Sequence, residues 1–197
     1  MSETLIRLYS EPTITKARHV GYSVRMVAEI AAHYDDAVDT GDFRLARCML
    51  DAFYVHVRLL ADFLLRTPRG EDFAPGDFGV SWNPPTGPGA QRLTAAWDIA
   101  SKHVVHFGGR RVPTGPGNPS EFRVDGAHFR QLAEDAVTVF STFVDEVAKV
   151  TPPWTRGTGA LIPNRERDPK GWQARARAEA LRELRTALSG AQADLEG

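Results

Sequence analysis

Two short stretches of the chain set ionisable side chains one helical turn apart. In Ser101-Lys102-His103-Val104-Val105-His106-Phe107, Lys102 and His106 are four apart and Asp98 stands four before Lys102, so a helix stacks all three on one stripe. In the run from Tyr54 to Phe63, His56, Arg58 and Asp62 interrupt an otherwise apolar pattern, and Arg58 and Asp62 are again four apart. An imidazole takes up or releases a proton near neutral pH, while an ammonium or a guanidinium stabilises an oxyanion. Together these groups could pair general acid–base catalysis at His106 with oxyanion stabilisation by Arg58 and Lys102. His56, Asp62 and His103 are the accompanying candidate binding residues.

The same residues also fit a purely structural network. A buried charge without a partner costs on the order of several kcal/mol, so Arg58 is expected to pair with Asp62 or to reach toward the end of the third helix. On this reading His106 caps the last carbonyls of its helix, and His56 is a satisfied core histidine. His103 and His106 form half of a metal site, yet no carboxylate or cysteine stands at further ligand spacing, so neither metal nor cofactor is expected. The Gly108-Gly109 and Gly115-Pro116-Gly117 turns follow helical patterns and lack the Lys-Ser/Thr of a phosphate loop.

The elements that must position these groups read as helices. Apolar residues recur at three- and four-residue intervals over about Thr13–Val38 (Ile14, Ala17, Gly21, Val24, Ala28, Ala31, with Tyr22, Met26 and Ile30 widening the face). They recur again over about Asp42–Arg66, with Asp42 as N-cap, over Ala90–Phe107, where Trp97, Ala100, Val104 and Phe107 are expected to face the core, and from Asp125 to Val150. Two Gly/Pro-dense loops, Pro68–Gly89 and Gly108–Pro119, separate them. Asp168-Pro169 opens a further short amphipathic helix through Trp172, Ala176, Leu184 and Leu188. The expected fold is all-α: an up-and-down four-helix bundle over residues 1–153, followed by a basic C-terminal arm, 154–197, that carries the additional helix. The runner-up is an α+β domain with a hairpin near Phe78–Trp82. Phe73, Phe78 and Trp82 in the first long loop are candidates for a lid over a small-ligand pocket.

The run Tyr54-Val55-His56-Val57-Arg58-Leu59-Leu60-Ala61-Asp62-Phe63, together with the later Lys102 to His106-Phe107 ending a helix, resembles bacterial proteins of a HEPN-like helical type. The resemblance spans roughly Asp42–Arg111. It implies a four- to five-helix bundle that forms a homodimer and has a role on RNA or in phage defence, many such proteins being metal-independent ribonucleases. The family signature is an Arg, commonly followed by Asn, with a His four to six residues on. His106 matches the His, whereas Ser101 and Lys102 occupy the Arg and Asn positions. Arg123 and His128 meet the spacing literally, but Asp125-Gly126 between them marks a helix start. The alternative to RNA is a partner protein, bound by a non-catalytic module whose ion pairs are structural.

Composition bounds these readings. A chain of 197 residues with 42% hydrophobic and 25% charged residues can close a core. Twenty-four Lys+Arg against 25 Asp+Glu leave a net charge of −1, so no overall field draws in a polyanion and any anion must be met locally. The start lacks the basic and apolar regions of a signal peptide, and no stretch is apolar enough to span a membrane, which points to the cytoplasm. Cys48 has no internal disulfide partner, and its apolar helical setting reads as a small buried hydrophobe.

Overall fold

The computed structural model describes residues 11–104, 126–151, 166 and 168–197. Among these residues the chain is all-α, with five helices and no strand: α1 (Pro12–Asp39), α2 (Phe43–Leu65), α3 (Pro88–Ile99), α4 (Gly126–Val150) and α5 (Pro169–Glu196). Pro12 presets the first turn of α1, and the stripe Ile14, Ala17, Gly21, Val24, Ala28 and Ala31 is buried along its length. Gly41, at φ +74°, takes the left-handed conformation that closes the link to α2. The Asp42 carboxylate then accepts the Leu45 amide at 2.9 Å, as the N-cap pattern requires. Asp168 does the same for Gly171 at the start of α5, also at 2.9 Å.

One cluster of buried side chains draws on all five helices. At its centre Phe53 of α2 stacks on Phe129 of α4, with ring centroids 4.3 Å apart. Burial in this cluster pushes the Tyr54 phenol up to about 12. The C-terminal helix is part of the same core and runs for 28 residues, longer than the short amphipathic helix expected there. Its small stripe, Ala176, Ala180, Ala187 and Ala191, is buried. A Cβ on Gly21 would stand 2.8 Å from the Ala187 Cβ, so α1 and α5 cross where both present almost no side chain.

Four further expectations are corrected. Phe78–Trp82 forms no hairpin, since a 3-10 turn over Pro75–Phe78 ends there and buries Phe78 against Phe63 and Phe143. Cys48 is exposed. Ala46 is the buried position of that turn, and two residues on, about 200° round the helix, the side chain points to solvent. Tyr22 is 57% exposed instead of widening the buried face of α1. Leu93, Ala96 and Ala100 are the core positions of the third helical segment, leaving Trp97 half-buried at its edge. That segment changes from α to π geometry over Ala100–Val104.

No helix among the described residues is long and apolar enough to cross a membrane.

Candidate functional site

A groove of about 580 Å³ opens between α1, α2, the start of the following loop and the edge of α3. α1 contributes His19, Tyr22 and Ser23, and α2 contributes His56, Arg58, Leu59, Asp62 and Phe63. The loop supplies Arg66, Arg69, Asp72 and Phe73, and α3 supplies Trp97. The side chains at 58, 62 and 66 are spaced four apart, so α2 and the residue that caps its C-terminus aim two guanidiniums and a carboxylate along the rim.

Asp62 is the hub of this trio. Its Oδ1 accepts the Trp97 indole N–H at 2.7 Å, a well-formed bond that fixes α3 against α2. The ion pairs are looser: Arg66 Nε stands 3.6 Å from Oδ1 and Arg58 Nε 3.8 Å from Oδ2. The expected Arg58–Asp62 pair is thus present as a charge contact that is too long for a hydrogen bond. Arg58 Nε is enclosed and makes no hydrogen bond among the described residues. The Arg66 guanidinium lies over the Trp97 ring, 3.6 Å from its centroid, so the indole holds it by its face while its edge donates to Asp62.

His56 forms the opposite wall. Its Nδ1 is 3.3 Å from Ser23 Oγ. Ser23 Oγ is also 3.3 Å from the His19 carbonyl oxygen, so the serine bridges the imidazole to the α1 backbone. Tyr22 packs edge-on to the imidazole with centroids 5.3 Å apart. Burial holds His56 below the ordinary histidine range and so keeps it uncharged at neutral pH.

The loop that carries Arg69, Asp72 and Phe73 is tied down at several points. Asp72 accepts the Arg69 amide at 3.0 Å, and Asp77 accepts the Ala74 amide at 2.8 Å. Lys16 pairs with Asp77 at 2.7 Å and lies over the Phe73 ring. His19 also meets that ring, with centroids 6.0 Å apart. Of the three aromatic residues expected to form a lid, only Phe73 lines the groove. Phe78 is in the core, and Trp82 donates its indole N–H to the Leu64 carbonyl at 2.6 Å.

The structure therefore gathers His56, Arg58 and Asp62 in one place. Lys102 pairs with Asp98 on an exposed face and does not line the groove. His106 and the side chain of His103 lie outside the described residues, as do Arg123 and the second Gly/Pro-dense loop. No group of three or more His, Cys, Asp and Glu that could hold a metal occurs among the described residues. Sequence reasoning missed Arg66, Arg69, Tyr22 and Trp97. Arg66 was within reach, being one further i+4 step beyond Asp62. The other three depend on how the helices and the loop converge.

Comparison of the chain with family models, curated proteins and solved structures yields no match.

Proposed function

We propose that the chain is a ligand-binding module whose site is the groove between α1 and α2. The observation that carries this reading is the gathering of exposed apolar side chains there. Of the seven large hydrophobic residues exposed among the described residues, Tyr22, Leu59 and Phe73 all rim this one concavity. A soluble domain rarely leaves aromatic and aliphatic side chains converging on a cleft unless something fills it. The volume suits a ligand of drug-like or nucleotide-like size.

The test uses the neutral dye N-phenyl-1-naphthylamine. Saturable fluorescence enhancement is expected with the native chain and is lost in Leu59→Glu and Tyr22→Ser, both rim changes that leave the core intact. Enhancement that persists unchanged in both variants overturns the reading.

A second reading, the RNA-related role implied by the HEPN-like resemblance, draws on the same walls. Unstacked bases rest on aromatic faces and phosphates on arginines, and Arg58, Arg66 and Arg69 stand beside Tyr22, Phe73 and Trp97. Its catalytic form needs His106. Fluorescein-labelled single-stranded RNA incubated in EDTA tests it: cleavage that disappears in His106→Ala supports a ribonuclease, and intact RNA with no anisotropy change removes this reading while leaving the first.

A further inference from the structure

We propose that the ligand of this groove is a planar aromatic compound bearing a single terminal oxyanion, seated with its charge on Arg58. The inference rests on the groove being a binding site and specifies what it binds.

Charge is the first argument. Three guanidiniums, Arg58, Arg66 and Arg69, face two carboxylates, Asp62 and Asp72. With His56 held neutral by burial, the groove carries one positive charge more than it neutralises. That excess sits in a chain whose net charge is −1, so it is a local feature and not a reflection of composition.

Hydrogen-bonding capacity is the second. Each carboxylate gives one oxygen to a hydrogen bond, Asp62 to the Trp97 indole and Asp72 to the Arg69 backbone amide, and Asp62 is also bracketed by the charges of Arg58 and Arg66. The donors are not matched in return. Arg58 reaches Asp62 only at 3.8 Å, its enclosed Nε has no acceptor among the described residues, and it is the 29% of its side chain still open that an oxyanion would meet. An incoming cation meets carboxylates outnumbered by guanidiniums, whereas an incoming oxyanion meets in Arg58 a guanidinium without a hydrogen-bonded partner among the described residues. A polyanion fits less well, because each added phosphate faces Asp62 and Asp72 with only one net positive charge to offset it.

Shape and polarity are the third. Tyr22, Leu59 and Phe73 offer apolar contact on the exposed rim, and the Arg66–Trp97 stack adds a flat surface. These walls accept a ring on its face or edge. The His56 imidazole adds a hydrogen-bonding edge to these walls.

Carboxylates and phosphate monoesters share this oxyanion chemistry, and three probes with one ring separate them: 2-naphthoate, 2-naphthyl phosphate and the uncharged 2-naphthamide. Binding to the full chain is measured by calorimetry. At least one of the two anions is expected to bind about tenfold or more tightly than the amide. That advantage is expected to vanish in Arg58→Gln and to survive in part in Arg58→Lys, which keeps the charge but not the planar fork. The tighter anion identifies the oxyanion class. Equal affinity for all three probes overturns the inference while leaving the groove as a binding site. An anion preference that is unchanged in Arg58→Gln also overturns it, since the charge would then be read elsewhere. Failure of all three to bind overturns the inference together with the reading it rests on.

Discussion

Two aspartates that tie α3 to its neighbours, Asp135 and Asp62, meet arginine in opposite ways. Where α3 meets α4, Arg92 grips Asp135 with both Nε and Nη2, each bond at 2.7 Å, and the aspartate side chain is only 8% exposed. Gly89 makes room for it, since a Cβ there would stand 2.8 Å from the carboxylate. Where α2 meets α3, Asp62 serves two arginines at 3.6 and 3.8 Å and gives its one short bond to an indole. The first contact uses the fork geometry of a guanidinium fully and closes on itself. The second leaves that geometry unspent, beside a cleft rimmed by exposed aromatic side chains. A cross-link that serves the fold saturates its donors, and a site that serves a ligand keeps some in reserve.

The contrast can be broken at its stronger end first. Arg92→Ala leaves the Asp135 carboxylate buried without its cation, and the melting temperature in calorimetry is expected to fall by more than for any other change named here. Next comes Trp97→Phe, which keeps a ring under Arg66 but removes the one short bond to Asp62. The expected loss is about 1 kcal/mol in urea denaturation. Any destabilisation beyond that of Arg92→Ala would show that the indole, not the Arg92–Asp135 clasp, is the main tie of α3.

The pH dependence is smaller and has a definite sign. His56 is held below the ordinary histidine value of 6.5 by burial, so the unfolded chain takes up a proton before the folded one as pH falls. Its contribution is complete above that value and lost progressively below it. Stability followed by denaturant midpoint is therefore expected to rise with pH through the window just under 6.5. His56→Gln is expected to flatten that segment of the profile.

The helices were legible because their signals are local. Asp42 and Asp168 stand as caps where the sequence places them, and the α1 stripe from Ile14 to Ala31 needs only periodicity. The Arg58–Asp62 spacing was legible for the same reason. What escaped depends on packing between elements. Trp97 reads as a core residue until the segment is rotated so that Leu93 and Ala96 face inward. The integration of α5 turns on Gly21 lying opposite Ala187, a match across more than a hundred and fifty residues. Phe73 and Arg69 join the site because Lys16 and Asp77 pin their loop to α1, which no spacing rule contains. Lys102 keeps the spacing the sequence predicts, pairing with Asp98 four residues before it, and stands outside the groove.

The most direct measurement is the melting temperature of Arg58→Met, read against Arg92→Ala under the same conditions. If Arg58 is held for a ligand, removing its charge costs the ligand-free fold nothing, and the midpoint stays at or above that of the native chain. A fall as deep as that of Arg92→Ala would make the Asp62 cluster a second structural clasp and contradict the account.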